Sequence, residues 1–267
     1  MAETRSPQAP ASVDDVERLL RRQTRRSLLV GGAAALAGLA GWRWLRTRDK
    51  EGGLAWPFRR VLELNERLAQ AYYQESRRAP EFPLEQAAEP RVNYRVGVPE
   101  PAAVATWKLR VEGAGAPVEL TVDDIKALPR VDMVTELKCV EGWSQVVHWT
   151  GARLVDLIAG CPLATPSGQV PDLQRHRADL YPYVGLETPG GGYTVGLEMA
   201  TALHPQTLLC YAMGGRPLTW GHGAPLRLVT PLKYGFKSIK WLSTLRFTDQ
   251  RPVDYWAEQG YDWYAGH

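Results

Sequence analysis

Hydrophobic positions along this chain follow three different rhythms. Residues 27–41, "SLLVGGAAALAGLAG", run apolar or small without one charge, with Arg21, Arg22, Arg25 and Arg26 ahead of them. Over residues 58–75, "FRRVLELNERLAQAYYQE", the spacing is helical, with Val61, Leu64, Leu68 and Ala71 on one stripe. That pattern predicts an amphipathic helix whose stripe packs on a domain. The following "PEFPLEQAAEPRVNYRVGVPEP" is broken by prolines and predicts an extended segment lying on the domain surface.

From residue 105 the period shifts to two. "TWKLRVEG" alternates Trp107, Leu109 and Val111 with Lys108 and Arg110, a half-buried strand. "TVDDIKALP" predicts a short helix capped by Thr121 and Asp124 and stopped by Pro129. Strands are predicted at "VDMVTELKC", "VVHW", "LYPYVGLET", "TLLCYAM", "APLRLVTP" and "KSIKWLSTLRF", with a Thr150-capped helix at "TGARLVDLIAG" and an irregular aromatic tail after residue 253. Short strands between Gly/Pro turns predict a β-dominated α+β domain over residues 101–267. Residues 49–100 form a helix and an extended segment packed on it, and residues 1–48 stand apart.

Composition narrows the function. The formal charge of +3 over 267 residues is too small and too dispersed for a nucleic-acid footprint. Three cysteines, Cys139, Cys161 and Cys210, make no CxxC pair, so a zinc knuckle is excluded. Cys161 and Cys210 read as buried small hydrophobes, with a bridge between them the alternative. Residues 21–45 have signal-peptide anatomy, and Thr24-Arg25-Arg26-Ser27-Leu28-Leu29 resembles the twin-arginine export motif. Trp42 and Trp44 among Arg43, Arg46 and Arg48 suit a membrane interface, so an uncleaved anchor is the second reading of the same segment.

The chemistry gathers at Cys139 in "ELKCVEGWSQVVHW". This thiol reads as a core cysteine, as a nucleophile served by His148 or His222, or as a metal ligand. No second thiol or His pair stands at ligand spacing, so a metal there takes its other ligands from an organic cofactor. "LKCVEGWSQVVHWTGARLVDLI" followed by "HGAPLRLVTPLKYGFKSIKWL" resembles the sulfite-oxidase-fold molybdopterin-dependent oxidoreductases, and most of all the exported methionine-sulfoxide reductase catalytic subunits. The resemblance covers roughly residues 90–250.

It implies a Mo-molybdopterin cofactor with Cys139 as the molybdenum ligand and Glu141 as an active-site acid. It implies cofactor contacts from Thr188, Arg227, Ser238, Ile239 and Lys240, with His222 where the reductases carry Asn. Arg227 and Lys240 suit the phosphate that ends the pterin, while Lys233 and Lys237 are equally readable as surface charges. Asn93, Tyr94 and Arg95 align loosely with a further cofactor-touching stretch. The activity implied is oxygen-atom transfer from a small-molecule or protein-bound sulfoxide in the periplasm. Electrons come from a membrane-bound haem b donor, and the catalytic subunit is monomeric. The alternative within the fold is a sulfite dehydrogenase. No arginine follows Cys139 closely, and Glu141 beside it disfavours an anionic substrate.

Overall fold

The computed structural model describes residues 13–92, 96–100 and 106–267. Two compact units emerge, residues 1–51 with 55–58 and residues 52–54 with 59–267. The smaller is built on helix α1, Val13–Arg46. Its Glu17–Arg46 portion is long and apolar enough to cross a membrane, and its apolar window is unburied.

Helix α2 (Trp56–Tyr72), part of the larger unit from Arg59 onward, precedes two five-stranded sheets. The first sheet is made by β1 (Leu109–Glu112), β2 (Val118–Leu120), β5 (Tyr183–Glu187), β6 (Thr194–Glu198) and β10 (Thr244–Thr248), in the order β2-β1-β10-β5-β6. The second holds β3 (Arg130–Lys138), β4 (Ser144–Arg153), β7 (Leu208–Met213) and β8 (Arg216–Pro217), in the order β8-β7-β4-β3, with β9 (Arg227–Val229) also pairing β7. Every pairing is antiparallel except β1 with β10. The β-rich α+β class expected from the strand rhythm is the observed one.

The main core lies between the sheets. Leu109 and Val111, Val184 and Leu186, and Leu245 and Phe247 supply one side; Ala152, Leu209 and Leu228 supply the other. The period of two explains why β7 serves two cores. Leu209 faces the main one, while Leu208 and Cys210 face a second cluster with Met133, Val147 and Trp149. Gly151 sits where β4 slips register against β7, and a Cβ there would lie 2.3 Å from the Leu209 carbonyl oxygen. All three cysteines are free.

The predicted capping box is present: Thr121 Oγ1 accepts from Asp124 N at 3.2 Å, starting helix α3 (Val122–Lys126). The extended segment crosses the second sheet, Phe82 N donating to Val134 O and Ala88 N to Val146 O, both at 2.9 Å. Three expectations are corrected. Thr150 caps no helix; it lies inside β4, its hydroxyl donating to Asp132 at 2.6 Å, and helix α4 (Leu154–Ala159) starts after Arg153. "KSIKWLSTLRF" is a strand only from Thr244, because a 3-10 turn at Gly235–Lys237 leads into bends whose backbone bonds Leu226 and Leu228. Finally, the stripe Val61, Leu64, Leu68 and Ala71 points to solvent. Helix α2 is held by its polar face instead: Glu66 accepts from Arg251 at 2.6 Å, and Arg59 donates to the carbonyls of Ala257 and Tyr261.

The aromatic tail is anchored by a buried charge. Asp254 starts helix α5 (Tyr255–Glu258), its Oδ1 accepting from Ala257 N. Its Oδ2 accepts from Gly196 N at 3.1 Å and from Lys237 Nζ at 2.6 Å, with both side chains essentially unexposed. Asp254→Ala strands the lysine charge and is expected to cost about 3–5 kcal/mol in denaturant unfolding. A paired Lys237→Met/Asp254→Leu change is expected to recover most of that loss; equal losses in both variants would contradict the buried-pair account.

A candidate cofactor and active site

Cys139 is placed by a hairpin turn. Strands β3 and β4 pair as far as Lys138 opposite Ser144, leaving residues 139–143 to reverse the chain. Cys139 N donates to Trp143 O at 2.9 Å, and Gly142 N to Cys139 O at 3.1 Å. Gly142 has φ +87°, a value that favours glycine. The half-buried thiol donates to Glu141 Oε2 over 3.8 Å, and the same oxygen accepts from Trp143 Nε1 at 2.9 Å. Burial, and then the Glu141 charge and hydrogen bond, push the thiol above its ordinary pKa. Without a cation the sulfur is therefore protonated. A bound metal reverses that, because a coordinating thiol is deprotonated outright.

One recess, with about 1210 Å³ of atom-free space counting its open mouth, adjoins this turn. Cys139 and Glu141 line it, and so do Thr188, His222, Arg227, Ser238, Ile239 and Lys240. The described residues expected at the site thus line a single recess. Asn93, Tyr94 and Arg95 lie outside the described residues. A second recess, with about 970 Å³ of atom-free space, opens beside it against Tyr234, Phe236 and Tyr261. Cys139 and Trp143 border both.

The basic side chains sort into two kinds. Arg227 is buried among backbone oxygens, donating to His222 O at 3.1 Å and Ser238 O at 3.0 Å, with its guanidinium 5.0 Å from the Trp149 ring centre. Among the described residues no carboxylate pairs with it, and burial lowers its pKa to about 10. Lys240 donates to Gly221 O at 2.8 Å; burial, reinforced by Arg227, lowers its pKa to about 7. Two desolvated cations on one recess wall raise the affinity for an anion. Lys233 and Lys237 are different: each is buried in an internal ion pair, with Glu198 and Asp254 respectively, and neither lines the recess.

His222, expected as a cofactor contact, lines the recess while its ring nitrogens are engaged within the protein. Its Nε2 donates to Pro90 O at 3.0 Å, and its Nδ1 accepts from Thr219 Oγ1 at 2.8 Å. Those partners assign the tautomer, and burial above all keeps the ring's pKa below its ordinary value. The ring borders the recess but clasps the extended segment there. Thr188 Oγ1 accepts from Tyr193 N at 3.0 Å, and Tyr193 in turn donates to Phe236 O at 2.6 Å.

Sequence reasoning missed Arg91, which lines the recess with its guanidinium 5.1 Å from the Trp143 ring centre. It also missed the tail aromatics Trp256 and Tyr261 on the same wall. The density of aromatics after residue 253 was the available signal for the tail; Arg91 had none.

The residues fit a molybdopterin-type group. Among the described residues no cluster of three His, Cys, Asp or Glu is able to hold a metal alone. One cysteine on a recess that Arg227 and Lys240 also line suits a chelate that brings its own metal ligands and an anionic end.

Residues 95–256 match the family model described as the oxidoreductase molybdopterin binding domain. A putative protein-methionine-sulfoxide reductase subunit YedZ1 from Azospira oryzae is 37% identical over 164 residues, covering 61% of this chain and 56% of that protein. The protein-methionine-sulfoxide reductase catalytic subunit MsrP of Xanthomonas campestris pv. campestris is 36% identical, covering 57% and 48%. MsrP of Ralstonia nicotianae is 37% identical, covering 56% and 46%. The chain spans about half the length of the curated relatives it matches. Among solved structures, the sulfane dehydrogenase SoxCD of Paracoccus pantotrophus aligns with TM-score 0.48 at 18% identity, covering 66% of this chain and 46% of that one.

Two outcomes follow from the electrostatics. Glu141→Gln is expected to lower the Cys139 pKa in the cofactor-free protein, so that iodoacetamide alkylation accelerates at pH 8; an unchanged rate would contradict the coupling. Sulfate, which does not titrate in this range, is expected to bind the cofactor-free recess with proton uptake by Lys240. Uptake is small at pH 5.5, where Lys240 is already charged, and grows as pH rises through about 7. Affinity falls over the same window. Calorimetry in buffers of different ionisation enthalpy measures the uptake, and Lys240→Met is expected to abolish it.

Proposed function

Because this chain belongs to the family of molybdopterin-binding oxidoreductase domains, we propose that it is the catalytic part of a sulfoxide reductase, with Mo-molybdopterin held in the Cys139 recess. The observation that carries this reading is the single recess lined by Cys139, Glu141, Arg227 and Lys240. Bound there, the group supplies oxygen-atom and electron transfer. Cys139 would hold the metal as thiolate, with Glu141 Oε2, the acceptor it already faces, placed to take its proton. Arg227 and Lys240 would hold the anionic end of the cofactor, with Thr188, Ser238 and Ile239 lining the same recess. Asn93, Tyr94 and Arg95 belong to the same proposal as further cofactor contacts.

Reducing a sulfoxide to a sulfide and water consumes two electrons and two protons. Glu141, oriented by the Trp143 indole, is the group placed to hold and deliver a proton beside the metal ligand. Substrate enters by the aromatic recess that shares Cys139. A carboxylate 3.8 Å from the sulfur favours a neutral S=O group over anionic sulfite. Arg91 over Trp143 is the one observation favouring the second reading, a sulfite dehydrogenase, since it brings a cation to the same rim.

The relatives named as reductase subunits support a sulfoxide substrate and a redox partner. We take that partner to be a membrane haem b protein. The Arg25-Arg26 pair ahead of the apolar stretch of α1 supports twin-arginine export to the periplasm, with α1 a signal or a membrane anchor.

Dye-linked assays decide between the two activities. Methionine sulfoxide reduction by the matured protein is expected to exceed sulfite oxidation, and the opposite ranking would overturn the proposal. Cys139→Ser is expected to lose at least about a hundred-fold in turnover, and Glu141→Gln about 10²–10⁴-fold if it is the proton donor. The cofactor content of Glu141→Gln is expected to stay at the wild-type level.

A further inference from the structure

Helix α2 turns its apolar stripe outward. Val61 is 54% exposed, Leu64 49%, Leu68 61% and Tyr72 65%. At about 100° per residue these four positions fall within an arc of about 80°. The opposite face is occupied by the Glu66–Arg251 pair and by Arg59 on the carbonyls of Ala257 and Tyr261. Arg60 and Arg67 border the stripe on one side, each also reaching Glu63. This is the make-up of an interfacial helix: one apolar face, basic residues along its edge, and a polar face toward the protein.

The preceding chain argues for what covers the stripe. Helix α1 is span-capable, and at its end stand the exposed Trp42 and Trp44 with Arg43 and Arg46. Those residue types settle at a membrane–water interface. Nine residues separate Arg46 from Trp56, a tether that reaches about 30 Å at most. A helix so tied to an interfacial segment is held within reach of lipid.

We infer that α2 lies on the surface of a phospholipid bilayer, with Val61, Leu64, Leu68 and Tyr72 among the acyl chains and Arg60 and Arg67 at anionic headgroups. The inference rests on the anchor reading of α1 made above. It gives the catalytic unit a second, lateral attachment and a fixed side toward the membrane.

The test uses the full matured chain in vesicles of phosphatidylcholine and phosphatidylglycerol. The photo-crosslinker p-benzoylphenylalanine replaces Leu64 or Leu68, with Asp123, on exposed helix α3, as the control position. Unchanged dye-linked activity verifies that each variant folds. Lipid adducts at 64 and 68 several-fold above the control, declining when phosphatidylglycerol is omitted, are the expected result. Vesicle flotation with adducts no higher than the control would overturn this inference and leave the anchor reading standing. Failure to float would overturn both. Adducts to a second copy or to another protein in place of lipid would likewise overturn it.

Discussion

The five-residue turn closing the β3–β4 hairpin is the constraint on which the site depends. Its two backbone hydrogen bonds fix where Cys139 leaves the sheet, and they set the sulfur on the partition between two recesses. The same turn supplies Glu141 and the indole that aims it, so one short loop defines the metal ligand, the nearest charge and the orientation of that charge. The long hairpin holds this loop rigid, since β4 pairs along its length with β3 on one side and over Trp149–Arg153 with β7 on the other.

A second design principle is the use of buried cations. Four basic residues within residues 227–240 are largely or wholly buried. Glu198 and Asp254 neutralise Lys233 and Lys237 inside the protein, which clips the Gly235–Lys237 turn and the aromatic tail into place. Arg227 and Lys240 face the recess with their pKa values lowered, so their desolvation is relieved when an anion arrives. Sequence position does not distinguish the two kinds; the partner brought by the fold does.

Much of this was legible beforehand, for identifiable reasons. Strand alternation reports burial directly, so Leu109, Val111 and the β3 segment were readable from period alone. The ordered blocks around Cys139 and Lys240 named residues that the fold gathers around one recess. Other features were hidden because they arise only in three dimensions. Arg91 meets Trp143 across 52 positions of sequence, and His222 is claimed by Pro90 from another segment. Thr150 looked like a cap because a helix begins nearby, but the ladder to β3 and the Asp132 carboxylate claim it first. The stripe of α2 was read as facing inward because helical periodicity gives a direction without saying what lies along it; Arg59 and Glu66 decided which face packs.

The central claim is that the Cys139 sulfur is a ligand to a metal otherwise held by an organic chelate. X-ray absorption at the molybdenum edge of the matured protein tests it most directly. The account predicts about one molybdenum per chain and a count of sulfur neighbours that falls by one in a metal-loaded Cys139→Ser protein. The same sulfur count in both proteins, or matured protein without molybdenum, would contradict it.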